Sequence, residues 1–181
     1  VSACDTEKVY SHNHYVFYGS NQIKYHLRDF YITLTKLKIN FRIDLIGYGF
    51  EVFENLENVH VLGPMSPRHF SSYVRSQHRL PIGLIPLDPL LDETDIIPIK
   101  AMDYIGVGIP ILHSTHCLKS FSEEPSCCSF NIHDKVNFEK QLLNFRKKLS
   151  ETEAVRDSLI KLKDKYSWKN NLVPLWSALG N

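Results

Sequence analysis

The sequence predicts an α/β fold in which a doubly wound sheet of six parallel strands carries helices on both faces. Six short apolar runs alternate with stretches of helical periodicity, and such alternation is typical of parallel sheets. Hydrophobic residues make up 43% of the 181 residues and aromatic residues 12%, so the chain can form a packed core. Because crossovers between parallel strands are right-handed, the simplest strand order is 3-2-1-4-5-6, a Rossmann-like arrangement.

The six predicted strands are short apolar runs, bounded by turn residues or helical stretches as strands buried on both faces are. They read YVFYG from Tyr15, FRIDLIG from Phe41, VHVLG from Val59, PIGLIPL from Pro81, PILHS from Pro110 and CCSFNI from Cys127. The ligand crevice of such a sheet lies beyond the carboxyl ends of its strands. The loops after strands one, four and five are therefore expected to bind any ligand.

Helices are predicted between and after the strands, where apolar residues recur at spacings of three and four. One apolar face of the first helix is formed by five such residues: Ile23, Leu27, Phe30, Leu34 and Leu37. Ser66 is placed to cap the third helix, with Pro67 at its first position. The predicted helical ranges are 22–38, 51–56, 67–77, 98–107, 135–149, 151–166 and 169–179.

Length and pattern together predict one domain that spans residues 1–181, since no linker, repeat or low-complexity segment interrupts the alternation. Lys and Arg total 21 against 20 Asp and Glu, and this balance argues against nucleic-acid binding through bulk electrostatics. No apolar run approaches the roughly 18 residues that span a bilayer, which predicts a soluble, cytoplasmic protein. The chain begins with Val1, as a fragment of a longer protein would.

The cysteines and histidines predict no metal site. Four cysteines occur without the spacing of a zinc site: Cys4, Cys117, Cys127 and Cys128. Neighbouring strand residues point to opposite faces, so Cys127 and Cys128 are poor ligands for one metal, and all four cysteines are interpreted as reduced thiols. His113 and His116 have no second pair of ligands close by in the sequence and are interpreted as loop residues.

The loops after strands one and two contain glycines. The loop GSN, residues 19–21, has amides that could approach a phosphate, but an ordinary turn with a helix-capping Ser20 or Asn21 fits equally well. The loop GYGFEV, residues 47–52, places two glycines like a dinucleotide fingerprint. It has Val52 where the third glycine should be and follows the second strand, so it does not predict a nicotinamide site.

The stretch DIIPIKAMDYIGVGIPILHS, residues 95–114, carries the strongest signal. Pro98 suits a first helical turn, whose amides and dipole attract anions, and Lys100 adds a full charge there. Asp103 lies on the same face, about one turn deeper. The start of the helix could thus bind a diphosphate, and the Asp103 carboxylate lies at the distance at which a ribose would follow. A surface Lys–Asp pair has the same spacing. The opposite, packing side is predicted to consist of Ile99, Met102 and Ile105.

From Pro98 to Ile111 the residues follow P-x-K-x-x-D-Y-x-x-x-G-x-P-I. This pattern resembles the nucleotide-binding signature of the GT-B fold glycosyltransferases, P-x-K-x-x-E-Y-x-A-x-G-x-P-V. Asp103 stands where the family usually has Glu, and Gly106 where it usually has Ala. Asp95 precedes Asp103 by eight residues, which is the spacing of the two acids in the E-x7-E motif of retaining members.

The resemblance covers most of the chain. YVFYGS, FRIDLIGYG and NVHVLGPMSPRHFSSYV resemble the first three strands of the C-terminal half of these enzymes and the helix that follows. YSWKNNLVPLWSAL resembles the start of the terminal helix that crosses back to the other half. Within the family, VLGPM and PIKAMDY look most like the xanthan-type bacterial glucuronosyltransferase.

That resemblance implies a role for several residues. Met65 would contact a uracil, Lys100 would hold the diphosphate and Asp103 would face the ribose, while Ile99 would flank the nucleotide. His113, after the fifth strand, is expected near the donor sugar. The complete predicted donor site comprises Gly19, Ser20, Met65, Asp95, Ile99, Lys100 and Asp103.

The function implied is that of a donor-binding half, which takes a nucleotide sugar, most simply a UDP-sugar, for transfer to a saccharide or lipid-linked acceptor in bacterial polysaccharide biosynthesis. The acceptor site, and any catalytic base, would lie in an N-terminal half, so the chain alone is expected to be inactive. The resemblance implies a full-length enzyme in the cytoplasm and is compatible with peripheral association at the inner face of the membrane. The nucleotide-binding block lacks an Asp-x-Asp motif, so no cofactor or obligatory metal is predicted.

Two alternatives remain open from the sequence. A UDP-sugar epimerase has the same two-domain architecture, although the YSW segment favours a transferase. A non-enzymatic flavodoxin-like or receiver-like module is the other. A receiver needs an acidic cluster after the first strand, where this chain has GSN. A serine hydrolase is excluded because the chain has no G-x-S-x-G motif.

Overall fold

The computed structural model describes residues 9–22, 25–87, 98–115 and 118–167. Within them, six parallel strands form one sheet in the order β3-β2-β1-β4-β5-β6, which confirms the predicted order. The strands are β1 Tyr10–Tyr18, β2 Arg42–Ile46, β3 Val59–Gly63, β4 Leu80–Ile85, β5 Ile111–Ser114 and β6 Cys127–Phe130. The order reverses between β1 and β4, the position at which doubly wound sheets form their ligand crevice.

Five helices cover the sheet within the described residues. They are α1 Leu27–Lys36, α2 Pro67–Ser76, α3 Ile99–Val107, α4 Lys135–Ser150 and α5 Thr152–Lys165. Ser66 accepts a hydrogen bond from the amide of His69 and Pro67 is the first residue of α2, as predicted. The predicted helix at 51–56 is a 3-10 turn, Glu51–Phe53. The predicted helix 169–179 lies outside the described residues.

Successive residues of each strand supply two separate cores, because side chains alternate between the faces of a sheet. Tyr15 and Phe17 pack on the face that α1 and α4 cover, together with Leu34 and Phe145. Val16 lies in the other core, which contains the buried residues of α2 and α3. Burial of both faces explains why the strand sequences are almost continuously apolar.

The starts of β1 and α1 differ from the prediction by several residues, and tertiary pairing accounts for both. β1 begins at Tyr10 because Tyr10 pairs with Leu80 of β4, although a register shift follows before Tyr15 and the intervening residues are polar. α1 begins at Leu27, later than predicted, because Tyr25 forms a bridge with Leu87 beyond β4. Tyr25 is thus paired outside the helix, and residues 23 and 24 of the predicted first turn lie outside the described residues.

A fully buried carboxylate, Asp44, lies in the middle of β2. His14 on β1 donates to its Oδ2 at 2.5 Å and Arg42 donates to its Oδ1 at 2.9 Å, while the Tyr73 hydroxyl of α2 also donates to Oδ2. Burial alone would raise the pKa of Asp44, but the hydrogen bonds from these three donors outweigh burial and lower the pKa to about 2. This group, which we call the Asp44 network, ties β1, β2 and α2 together.

The two cysteines in β6 are free thiols, in agreement with the interpretation of reduced cysteines. Cys127 is buried and Cys128 is half-buried, and both are free thiols. Burial raises the pKa of Cys127 to about 12 and that of Cys128 to about 11, so both are protonated near neutral pH. Cys4 and Cys117 lie outside the described residues.

The described ranges contain neither a candidate membrane span nor a candidate metal-binding cluster. None of the helices there combines the length and apolar composition that a membrane span requires. No group of three or more His, Cys, Asp or Glu side chains in the same part of the chain is arranged to hold a metal ion.

Candidate functional site

The loops that follow β1, β2 and β3 are joined by backbone hydrogen bonds at the carboxyl edge of the sheet. Gly19 donates to the carbonyl of Ile46 at 2.8 Å, and Gly47 donates to the carbonyl of Gly63 at 2.9 Å. Asn21 donates from its amide to the carbonyl of Tyr48 at 2.9 Å. These bonds fix the GSN loop beside the point where the strand order reverses.

Backbone conformation and close contacts explain why these loops have glycine at positions 19 and 47. Gly19 has φ of 146° and Gly47 has φ of 143°, in a region that residues with a side chain rarely adopt. A Cβ on Gly47 would lie 1.6 Å from the carbonyl oxygen of Gly19, so the two backbones are in direct contact. The sequence had excluded a nicotinamide fingerprint here, and the structure gives Gly47 a packing role instead.

Lys100 lies where α3 meets the loop after β1. Its Nζ is 2.5 Å from the position that a Cβ on Gly19 would occupy, so the ammonium rests against the Gly19 backbone. The same Nζ lies 4.4 Å from the ring centroid of Tyr25 and 4.9 Å from that of Phe17. Two residues of the predicted donor site, Gly19 and Lys100, therefore meet at the expected crevice.

The start of α3 differs slightly from the prediction. Pro98 is the N-cap residue and the helix begins at Ile99, one residue later than predicted. The proline ring offers no acceptor to the amides of the first turn, whereas α2 uses Ser66 for that purpose. The first turn of α3 therefore has no side-chain cap at Pro98, and Lys100 lies in this turn, at the positive end of the helix dipole.

The predicted packing side of α3 was partly wrong. Ile99 is 82% exposed, and the buried residues of the helix are Ala101, Tyr104 and Ile105. The signature residue Tyr104 faces the sheet, where Gly83 of β4 leaves room for its ring. Ile99 is left at the open end of the helix, next to Lys100 in the chain.

Asp103 is half-buried near the end of β1. Burial raises the pKa of its carboxyl group, while the nearby charge of Lys100 opposes the increase. Burial and the charge of Asp103 both raise the pKa of Tyr18, the last residue of β1, so the two side chains share one environment. The Tyr18 hydroxyl donates to the carbonyl of Met65 at 3.0 Å, and its ring stacks on Phe70 with centroids 4.2 Å apart. Tyr18 therefore connects the surroundings of Met65 and Asp103.

Sequence reasoning missed Tyr18 and Tyr25 as residues of this site. Tyr18 ends the first strand within YVFYGS, so its position at the carboxyl edge was a usable signal. Tyr25 had no such signal, because the apolar spacing placed it inside a predicted helix. Its bridge with Leu87 is a tertiary feature.

The remaining predicted residues divide into three cases. Ser20 is half-buried and accepts a hydrogen bond from Gln22 at 3.1 Å, as a residue of a local turn would. Asp95 lies outside the described residues. The expectation for His113 was wrong, because its side chain is fully buried within β5 and its Nδ1 donates to the carbonyl of Ser114 at 2.9 Å. His116 lies outside the described residues.

Tyr104 anchors α3 beneath the site. The amide of Tyr18 donates to the Tyr104 hydroxyl at 3.0 Å, and that hydroxyl lies 3.2 Å from the carbonyl of Leu84 and 3.3 Å from that of Val16. The ring is completely buried. One hydroxyl group thus connects α3 to both strands that flank the crevice.

Tyr104→Phe is expected to lower the free energy of unfolding by about 1 to 3 kcal/mol, because it leaves the amide of Tyr18 without its acceptor. Urea unfolding monitored by circular dichroism measures the change. Tyr48→Phe is the matched control, since Tyr48 is 70% exposed, and it is expected to unfold like the unmodified chain. Equal stability of the Tyr104→Phe chain and the unmodified chain would contradict the anchoring role.

Comparison with known proteins gives structural matches only. No family model and no curated protein matches the sequence. WaaG, a glycosyltransferase involved in lipopolysaccharide biosynthesis, matches with a TM-score of 0.56 and 14% identity over 92% of this chain and 46% of that one. AviGT4, a glycosyltransferase involved in avilamycin A biosynthesis, matches with a TM-score of 0.51 and 10% identity over 91% of this chain and 52% of that one.

At these identities the matches establish the fold. Both neighbours are GT-B glycosyltransferases, so the observed sheet agrees with the predicted Rossmann-like class. The chain spans about half the length of these solved structures.

Proposed function

We propose that this chain is the donor-binding half of a GT-B glycosyltransferase and that it binds a nucleotide sugar, most simply a UDP-sugar. The observation that supports the proposal best is the contact of the Lys100 ammonium with the Gly19 backbone, where the strand order reverses between β1 and β4. Open α/β sheets bind their ligands at this position. The structural neighbours and the signature around Lys100 favour the same class of ligand.

In this proposal the diphosphate binds at the start of α3. The first-turn amides and the helix dipole favour an anion, and Lys100 adds a charge-assisted contact. Asp103 lies one turn deeper on the same helix, where its carboxyl group would accept hydrogen bonds from ribose hydroxyls. Met65 would contact the base, and its carbonyl accepts a hydrogen bond from the Tyr18 hydroxyl. The exposed Ile99 would cover the nucleotide.

The proposed reaction is displacement at the anomeric carbon of the donor sugar. The bond between that carbon and the diphosphate oxygen breaks and its electron pair stays on the diphosphate, while an acceptor hydroxyl forms the new bond and gives up its proton to a base or to the leaving diphosphate. Lys100 and the first-turn amides would stabilise the leaving diphosphate, without an obligatory metal. The acceptor site and any catalytic base would lie in an N-terminal half of the whole enzyme, so this chain alone would transfer no sugar.

The finer assignment extends the same proposal. The segments VLGPM and PIKAMDY favour a xanthan-type glucuronosyltransferase, which would act on a saccharide or lipid-linked acceptor in bacterial polysaccharide biosynthesis. The full-length enzyme would then work in the cytoplasm, at the inner face of the membrane.

The test compares UDP with uridine, and Lys100→Ala with Asp103→Ala. The unmodified chain is expected to bind UDP with a Kd of about 10 µM to 1 mM. Lys100→Ala removes a charge-assisted contact and is expected to weaken UDP about ten- to hundredfold, while uridine, which has no phosphate, changes little. Asp103→Ala is expected to reduce the affinities for UDP and for uridine by similar factors. Isothermal titration calorimetry or ligand-observed NMR measures these affinities.

A lysine away from the crevice supplies the control for lost positive charge. Lys36 is exposed in the last turn of α1, and Lys36→Ala is expected to leave UDP affinity unchanged. If neither UDP nor GDP binds the unmodified chain at millimolar concentration, the donor-site proposal is wrong. Equal losses for UDP and uridine in Lys100→Ala would refute the diphosphate role of that residue.

A further inference from the structure

Two aromatic rings from different parts of the chain form a corner around the Lys100 ammonium. The ring centroids of Phe17 and Tyr25 are 5.0 Å apart and their planes stand at 71°. The Nζ of Lys100 lies within 5 Å of both centroids, at 4.9 Å from Phe17 and 4.4 Å from Tyr25. We call Phe17 and Tyr25 the aromatic corner.

The rest of the fold holds both rings in place. Phe17 is fully buried in β1 and also packs edge-on against Phe50, with centroids 5.8 Å apart. Tyr25 is held by its backbone bridge with Leu87 and by its amide, which donates to the carbonyl of Gln22 at 2.9 Å. The corner is thus anchored to β1 on one side and to the segment after β4 on the other.

Gly19 closes a third side of this arrangement. A Cβ at that position would lie 2.5 Å from the Nζ and 2.9 Å from the Cε of Lys100, so any larger residue would displace the ammonium. Two ring faces and the Gly19 backbone therefore all contact the Lys100 ammonium.

Aromatic rings differ from a carboxylate as a support for a cation. The negative face of each ring attracts the ammonium through its quadrupole, but the ring carries no net charge. The two rings of the aromatic corner therefore restrain the Lys100 ammonium without placing a negative charge of their own beside it.

We propose that Tyr25 is a positioning residue for the anionic part of the ligand, acting through Lys100 together with Phe17. This inference rests on the proposed function, because it takes the diphosphate as the anion that Lys100 meets. Phe17 belongs to the hydrophobic core, whereas Tyr25 is half-buried at the crevice. Tyr25 can therefore be changed with less risk to folding, and it is the residue to test.

The decisive experiment is a double-mutant cycle of Tyr25→Leu and Lys100→Ala, with UDP and uridine as ligands in calorimetry. Tyr25→Leu removes one ring face and is expected to reduce the affinity for UDP by roughly three- to tenfold. The affinity for uridine is expected to stay within about twofold of that of the unmodified chain. In the Lys100→Ala background the same change is expected to have no further effect, because Tyr25 acts through the ammonium. Tyr25→Phe keeps the ring face and is expected to bind UDP within about twofold of the unmodified chain.

Two controls separate positioning from a general loss of packing. Tyr31→Leu removes another half-buried tyrosine ring, one that packs on Phe41 in the same core cluster, and is expected to leave UDP affinity unchanged. If Tyr25→Leu does not fold, Tyr25→Met replaces it in the cycle, because the flexible methionine side chain refills the space of the ring. The same effects on affinity are expected. Without any ligand, the NMR signals of the Lys100 ε-methylene are expected upfield of those of other lysines because of ring currents, and this shift is expected to shrink in Tyr25→Leu.

The outcomes distinguish this inference from the function on which it rests. If the unmodified chain binds no UDP, the proposed function fails and the ligand role of Tyr25 fails with it, while the NMR shift still reports whether the corner exists. If Lys100→Ala weakens UDP but Tyr25→Leu and Tyr25→Met do not, the proposed function stands and the positioning role is overturned. Equal losses from Tyr25→Leu in the presence and absence of Lys100 would also overturn it.

Discussion

Asp44→Asn is expected to lower the free energy of unfolding by about 3 to 5 kcal/mol. This is the usual cost of removing one charged partner from a buried ion pair. The carboxylate accepts from His14, Arg42 and Tyr73, and the side chain of Asp44 is inaccessible to solvent. An asparagine amide has one acceptor oxygen in place of two, so at least one of these donors loses its partner. Urea unfolding at pH 7 measures the change.

The same variant is expected to change the pH dependence of stability. Folding lowers the pKa of Asp44 from its ordinary value of 3.8 to about 2, so between these values the unfolded chain binds more protons than the folded protein. Asp44 therefore makes its full contribution to the free energy of unfolding, about 2 kcal/mol, above its pKa in the unfolded chain. This contribution is lost as the pH falls from about 5 through 2. Asp44→Asn is expected to remove that part of the acid sensitivity.

An exposed aspartate provides the comparison for the Asp44 prediction. Asp157 lies on the exposed side of α5, and Asp157→Asn is expected to keep both the stability at pH 7 and the acid response of the unmodified chain. If Asp44→Asn unfolds at the same urea concentration as Asp157→Asn, the Asp44 network contributes little to stability.

The strand order could be predicted from the sequence because it depends on features that are local in the chain. Apolar runs mark strands, periodic stretches mark helices, and right-handed crossovers leave few ways to connect them. The cap at Ser66 was predictable for the same reason, since capping needs only a few adjacent residues. Asp44 was not predictable as a core residue, because its three donors come from two strands and a helix.

The candidate site was predictable in its location but only partly in its contacts. The signature around Lys100 and the loop at Gly19 pointed to the same crevice, and the structure brings these two residues into contact. Ile105 is buried as helical spacing predicted for α3, but Ile99 of the predicted packing side is exposed, and Tyr104, which was not assigned to that side, is buried. Helical spacing alone does not say which face of a short helix a neighbouring strand will cover.

Gly47→Ala is expected to destabilise the chain by about 3 to 5 kcal/mol and to weaken UDP binding. The new Cβ would lie 1.6 Å from the carbonyl oxygen of Gly19, and φ of 143° is strained for alanine. Backbone strain of about 1 to 3 kcal/mol adds to an overpacking cost of similar size. The loop after β1 would have to move, and Gly19 would then leave its contact with Lys100. Urea unfolding and calorimetry with UDP on the folded protein measure the two effects.

Gly106→Ala is the matched control for the Gly47 variant, since it adds the same methyl group at a place where no atom beyond the adjacent residues and the surrounding helix backbone lies within 4 Å. Gly106 is inside helix α3, where alanine is favoured over glycine by about 0.5 to 1 kcal/mol, so the control is expected to raise stability slightly. It is also expected to leave UDP affinity unchanged. If Gly47→Ala proves as stable as Gly106→Ala, the two loops are not in the close contact described. If Gly47→Ala is unstable but binds UDP as the unmodified chain does, the position of Gly19 does not control the charge of Lys100.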